Sequence, residues 1–129
     1  MAGGSKELGE RIRQLREEKR KTDPKFTGRQ FSITLDISPT YLSKIETGDM
    51  PAGAELMKRI AALLDTDPDI LLALGEKVDP DLNQIIVKKP QAMASFLRTA
   101  SGLSDQQLTK LRGYMDALSE ENKNKGNKQ

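Results

Sequence analysis

The sequence predicts an all-α protein. Apolar side chains recur at three- and four-residue spacing, and no stretch alternates between polar and apolar residues as a half-buried strand does. A capping residue followed by proline marks three helix starts, at Ser38-Pro39, Asp67-Pro68 and Asp79-Pro80. With 129 residues, the chain is long enough to bury a core without disulfides or metal ions. We therefore expect one helical domain with a helical extension.

The first helix is predicted from about residue 6 to residue 20. Its apolar face carries Leu8, Ile12 and Leu15. A basic connector, KRKTDPKF, follows, and Asp23-Pro24 interrupts the helix there because the residue before a proline is displaced from the α region. Thr27 is then placed to cap a second helix.

Residues 27–48, TGRQFSITLDISPTYLSKIETG, predict two short helices joined by a tight turn. In the second of these, Leu42 and Ile45 face the core, whereas Thr40, Ser43 and Lys44 share the opposite side. A helix that enters the major groove of DNA must be short, held by a buried face and polar where it meets the base edges. The segment therefore predicts a helix-turn-helix DNA reader, and an ordinary helical hairpin is the alternative.

Two further helices complete the predicted domain, residues 6–75. The fourth is expected from about Gly53 to Leu64, and the fifth from Pro68 to Leu74, ended by Gly75. The buried positions of the fourth helix are predicted to be Leu56, Ile60, Leu63 and Leu64.

Residues 76–119 are predicted to form a C-terminal helical extension. One helix is expected from Pro80 to about Val87 and another from Pro90, and Ser104 with Gln107 forms a capping box for a last helix. Residues 120–129 are polar and charged, so we expect a disordered tail.

Composition excludes several classes of function. The chain has no cysteine and no histidine, which removes thiol chemistry, the commonest zinc ligands and the usual general base. It also lacks an acidic cluster with metal-ligand spacing and a glycine loop that could cradle a phosphate. We therefore expect no enzymatic activity, no metal and no cofactor. No apolar run approaches about 18 residues, and MAGGSKE lacks the apolar core of a signal peptide, so we expect a cytoplasmic protein without a membrane partner.

Positive charge is concentrated near the predicted reader. Residues 1–48 carry ten Lys and Arg against seven Asp and Glu, whereas residues 49–129 carry eleven against twelve. Residues 11–29 alone carry eight against three. This distribution favours a nucleic-acid partner, because the basic residues lie where the protein would contact DNA phosphates. The alternative is a basic helix face that is exposed to solvent and binds nothing.

From about residue 8 to residue 75 the chain resembles the XRE family of Cro-like and phage-repressor-like transcriptional regulators. The motif ISPTYLSKIETG follows the family pattern V-S-x-x-Y-L-S-x-I-E-x-G, and it is joined by I-R-x-L-R in the first helix. The resemblance implies a five-helix DNA-binding domain that is usually dimeric, recognises double-stranded operator half-sites and most often represses transcription.

The resemblance also assigns roles to residues. The positions that match base contacts are Pro39, Thr40, Ser43 and Lys44. The positions that match backbone phosphate contacts are Ser38 and the start of the second helix, at Thr27 and Gly28. From their charge alone, we expect Lys25 of the connector and Arg29 of the second helix to hold the DNA backbone as well. Arg16 and Glu46 match a structural ion pair between helices.

Three features depart from the family pattern. Gly28 stands where glutamine is frequent, so one DNA contact is lost, and Asp36 stands at a turn position usually held by glycine. The connector between the first two helices is longer than usual, and it is either an additional phosphate-contacting loop or a solvated insertion.

The extension carries more apolar side chains than short helices can bury by themselves. We expect them to form a homodimer, which suits a reader of palindromic sites, through Phe96, Leu97, Leu108, Leu111, Met115 and Leu118. They could instead pack on the first domain or bind a different protein, such as a protein antagonist, which would make the chain an antitoxin or an interaction adaptor.

Overall fold

The computed structural model describes residues 4–127, with the side chains of residues 4–124. Over this range the protein contains eight α-helices, one 3₁₀ helix and no strand, which confirms the all-α prediction. The elements in chain order are α1 (Lys6–Arg20), the 3₁₀ helix (Pro24–Phe26), α2 (Gly28–Thr34), α3 (Pro39–Thr47), α4 (Ala54–Leu63), α5 (Pro68–Leu74), α6 (Pro80–Lys88), α7 (Pro90–Ala100) and α8 (Asp105–Asn127). None of the described helices is long and apolar enough to cross a membrane.

The chain forms two compact units, Met1–Asn83 and Gln84–Gln129, so the division falls inside α6. Helix starts in both units follow local capping. Thr27 accepts the Gln30 amide at 3.3 Å, and Ser38 accepts the Tyr41 amide at 3.0 Å. The Ser104 and Gln107 side chains each accept the other residue's amide, at 3.2 and 2.9 Å, as a capping box requires.

The helices α1 to α5 of the first unit together enclose one apolar core. The largest fully buried side chains include Ile12, Phe31, Leu35, Leu42, Ile45, Met57, Ile60, Leu71 and Leu72. In α4 the buried positions are Met57, Ile60, Ala61 and, at its end, Leu64, whereas Leu56 and Leu63 are only partly buried. The spacing of 57, 60, 61 and 64 is one face of an α-helix, rotated from the face that the sequence predicted.

Gly9 sets the distance between α1 and α3. A Cβ atom at this position would lie 2.4 Å from the carbonyl oxygen of Glu46 and 2.5 Å from that of Ile45. Backbone atoms at such distances leave no room for any other residue. The glycine therefore allows the close approach that brings α1 side chains to the flank of α3.

The second unit has few buried side chains. Among its described residues only Ala100 is buried, and large apolar side chains of α7 and α8 remain exposed.

The helix α8 extends to Asn127, which corrects the predicted disorder of residues 120–127. Polar composition does not prevent a helix here, because the segment lacks proline and carries a Glu120–Lys123 pair at 3.7 Å. Residues 128 and 129 of the predicted tail lie outside the described range.

Candidate nucleic-acid interface

The turn between α2 and α3 has the geometry that a helix-turn-helix requires. Asp36 adopts a left-handed backbone with φ of 59°, the conformation expected where a glycine is usual. The Ile37 amide donates to the Ser32 carbonyl at 3.0 Å and closes the turn. The Arg59 guanidinium of α4 donates to the Leu35 carbonyl at 2.7 Å, which fixes the end of α2 to the rest of the unit.

Helix α3 buries one face and exposes the other. Leu42 and Ile45 are fully buried. The side chains assigned to base contact, Pro39, Thr40, Ser43 and Lys44, are all exposed, and the last three lie on the opposite face. Lys44 has no carboxylate within 4.0 Å among the described side chains, so its ammonium group is available to an anion or a base edge.

A buried ion pair joins α1 to α3. The Arg16 guanidinium donates from Nε to Oε2 of Glu46 at 2.7 Å and from Nη2 to Oε1 at 2.8 Å. The hydrogen bonds to Glu46 raise the pKa of Arg16 above its ordinary value. A third hydrogen bond, from Arg16 Nη1 to the Phe26 carbonyl at 3.0 Å, reaches the residue just before the Thr27 cap of α2. Arg16 therefore connects α1, α3 and the start of α2 through one rigid guanidinium group.

A groove of about 310 Å³ lies beside this pair. Three helices of the first unit contribute to it, and its lining consists of Arg13, Arg16, Gly28, Arg29, Pro39, Leu42, Ser43, Glu46 and Thr47. Arg13 and Arg29 have no carboxylate within 4.0 Å among the side chains that the structure describes. The groove therefore presents two guanidinium groups that form no ion pair within 4.0 Å, next to the exposed face of α3.

The structure brings some predicted residues together and separates others. Gly28, Arg29, Pro39 and Ser43 line the groove, whereas Lys25, Thr27, Ser38, Thr40 and Lys44 lie outside its lining. Arg13 was not assigned a role from the sequence. The sequence feature that could have identified it is its position three residues before Arg16, which places both side chains next to each other on one face of the helix.

The long connector is an ordered element. Asp23 accepts the Lys25 amide at 2.9 Å and begins the 3₁₀ helix, and the Phe26 ring lies 5.8 Å from the Phe31 ring. Two basic residues that precede the 3₁₀ helix, Arg20 and Lys21, form ion pairs with glutamates of α1 at 3.1 and 3.0 Å. Lys25 is exposed and forms no such pair among the described residues, so it is the connector cation that remains for a phosphate.

A comparison with protein-family models agrees with the helix-turn-helix geometry. A family model described as a helix-turn-helix domain matches residues 7–74, the same part of the chain that resembles the XRE family. A solved structure, the complex of SinR protein and SinI protein, is similar over 88% of this chain and 98% of that chain, with 23% sequence identity and a TM-score of 0.44. No curated protein matches the chain significantly. Because the family model covers more than half of the sequence, the chain belongs to the helix-turn-helix domain family.

Proposed function

We propose that this protein is a sequence-specific regulator of transcription that binds double-stranded DNA as a dimer and acts as a repressor. The observation that carries the proposal is the position of the exposed polar face of α3 directly beside the arginine-lined groove. Base edges and phosphates lie side by side on DNA, and a reader needs side chains for both.

Lys44 and Thr40 read the bases in this proposal. A lysine ammonium can donate to O6 and N7 of guanine, and a threonine methyl can contact the methyl group of thymine. Pro39 and Ser43 complete the face of α3 that enters the major groove.

The groove binds the DNA backbone. Arg13 and Arg29 supply its unpaired charges, and Lys25 extends the positive surface from the connector. The Ser38 hydroxyl accepts an amide of its own helix and can still donate its proton to a phosphate oxygen. These contacts set affinity and orientation without selecting sequence.

The second unit supplies the dimer interface. Of the six residues predicted to dimerise, Phe96, Leu97, Leu108, Met115 and Leu118 are exposed and Leu111 is half-buried. Pairing of two copies would cover these side chains and would present two α3 helices to half-sites about 34 Å apart. The same exposure supports a second candidate, in which a different protein covers the extension and the chain serves as an antitoxin or adaptor. A partner that co-purifies in fixed ratio would favour that candidate.

We also propose that the protein binds and does not catalyse, since the chain offers no cysteine or histidine to act as nucleophile or base.

Substitution of the reader lysine tests base recognition. Binding sites are first selected from random-sequence DNA with the full chain, and affinity is then measured on the selected site and on unrelated DNA. Lys44→Ala should cost about 1 to 3 kcal/mol on the selected site and little on unrelated DNA. The matched control is Lys77→Ala, which removes the same charge from an exposed position that follows α5 and lies outside the groove lining. Equal losses on both DNAs would refute a base contact by Lys44.

Substitution in the groove tests the backbone contacts. Arg13→Ala should weaken binding to both DNAs to a similar degree and reduce the slope of log affinity against log salt by about 1. Arg11→Ala is the control, because Arg11 lies two residues away on α1 and does not line the groove. An Arg13 variant that matches the Arg11 variant in affinity and salt slope would contradict the assignment.

A further inference from the structure

The connector between α1 and α2 is held to α1 at both of its ends. At the first end, the Thr22 and Asp23 amides donate to the Lys19 carbonyl at 3.2 and 3.0 Å. At the other end, Nη1 of Arg16 donates to the Phe26 carbonyl at 3.0 Å. The backbone between these two anchors therefore has little conformational freedom to lose when a ligand binds.

The Phe26 side chain adds a third anchor. Its ring packs against the core of the first unit, with its centroid 5.8 Å from that of the Phe31 ring in α2. The Lys19 ammonium of α1 lies over the same ring, 5.5 Å from its centroid, and pairs with Asp65 at 2.7 Å. Phe26 therefore joins the connector to α1 and α2, while the neighbouring Lys25 is exposed.

Lys25 differs from the other cations of the connector. Arg20 and Lys21 pair with glutamates of α1, whereas Lys25 has no carboxylate within 4.0 Å among the side chains that the structure describes. The acidic residue nearest in sequence, Asp23, accepts the backbone amide of Lys25 at 2.9 Å. Asp23 therefore fixes the backbone of Lys25 without forming an ion pair with its ammonium group.

We propose that Asp23 and Phe26 are positioning residues that hold Lys25 in place for a phosphate of the DNA backbone, an inference that rests on the DNA binding of the proposed function. A lysine on a mobile loop would lose backbone freedom when it binds, and this loss would oppose the contact. A backbone that Asp23 and Phe26 already fix avoids most of the loss. The connector then supplies a specific phosphate contact, which diffuse positive charge alone would not.

The salt dependence of binding distinguishes a specific contact from diffuse charge. The affinity of the full chain for double-stranded DNA of unrelated sequence is measured from about 50 to about 200 mM salt. Each phosphate contact contributes about 0.9 to the slope of log affinity against log salt, which is about 3.5-fold in affinity over this range. Lys25→Ala should lose one such contribution. Lys21→Ala is the matched control and should change the slope little, because it removes the same charge from a position that is paired with Glu18.

Two substitutions of Asp23 test the positioning itself. Asp23→Asn and Asp23→Ala remove the same negative charge, but only asparagine keeps a side-chain oxygen that can accept the Lys25 amide. Asp23→Asn should keep the native slope, whereas Asp23→Ala should lower it toward that of Lys25→Ala. In a Lys25→Ala background the two substitutions should give equal slopes, since no ammonium group remains to be positioned. A purely structural role of Asp23 would not produce this dependence on Lys25.

Substitution of Phe26 tests the apolar anchor. Phe26→Ala removes the ring that contacts α1 and α2, so it should lower the slope as Asp23→Ala does. Phe26→Leu keeps an apolar side chain against Phe31 and should restore most of the slope. Circular dichroism shows whether each variant remains helical, and the Asp23 comparison decides the question if Phe26→Ala does not fold.

The outcomes separate this inference from the proposed function. Equal slopes for Asp23→Asn and Asp23→Ala in the native background would overturn the positioning role. An unchanged slope in Lys25→Ala, or an equal loss in Lys21→Ala, would overturn the specific contact while leaving DNA binding intact. A native chain that does not bind double-stranded DNA would overturn the proposed function, and this inference with it.

Discussion

The buried ion pair between Arg16 and Glu46 allows a quantitative test of how the first unit is held together. The two side chains expose only 7% and 8% of their surface. Replacement of Arg16 by methionine keeps a long side chain against the core but removes three hydrogen bonds, at 2.7, 2.8 and 3.0 Å. It also leaves the Glu46 carboxylate buried without a counter-charge.

The expected cost of Arg16→Met is about 3 to 5 kcal/mol, because breaking a buried pair from one side leaves an uncompensated charge in a low-dielectric environment. Domains of this size are stable by about 5 to 15 kcal/mol in total, so the variant should lose a large part of its stability. The double variant Arg16→Met with Glu46→Leu should recover most of the loss, since an apolar pair needs no counter-charge.

Urea unfolding measures these differences. The chain contains two tyrosines and no tryptophan, so in a Tyr114→Phe background Tyr41 of α3 is the single fluorescent reporter of the first unit. A loss below about 1 kcal/mol in Arg16→Met, the range of a surface pair, would refute the description of this pair as buried and necessary. A double variant no more stable than Arg16→Met would refute the explanation by unpaired charge.

Three further predictions concern backbone packing and pH. Gly9→Ala should destabilise the first unit by about 1 to 3 kcal/mol, because its Cβ would lie 2.4 Å from a carbonyl oxygen of α3, and unchanged urea unfolding would contradict the close approach. Gly113→Ala is the control, since its Cβ meets open space and alanine favours a helix by about 1 kcal/mol. Asp36→Gly should raise the unfolding midpoint by relieving a φ of 59°, and a lower midpoint would show that the turn is not strained. The Asp81 amide is the largest cause that holds the pKa of Asp79 below its ordinary value. The stability that the Asp79 carboxylate contributes is therefore fully present above about pH 3.9 and is lost as pH falls through the folded pKa. An NMR titration that gives a pKa of about 3.9 or higher for Asp79 would contradict this prediction.

Helix positions were predictable from the sequence because their causes are local. The bounds of α1 and α5 agree with the prediction, and the serine, threonine and aspartate caps accept amides two or three residues ahead of them. Capping and proline placement involve only neighbouring residues, so a linear reading captures them.

Side-chain partners across the core were less predictable. The sequence assigned Leu56 to the core, but the rotation of α4 buries Met57 in its place. The contact between α1 and α3 requires glycine at position 9. Both depend on where a distant helix lies, which apolar periodicity indicates only to within one residue.

The sequence by itself determined the helical class, the helix-turn-helix and the residues on the exposed face of α3, because periodicity and capping act within one helix. Only the tertiary structure decided that Arg13 joins Arg29 in one groove and that Arg16 reaches both Glu46 and the Phe26 carbonyl. These contacts join residues from different helices, up to 30 positions apart. Their geometry follows from the packing of whole helices, which no local pattern encodes.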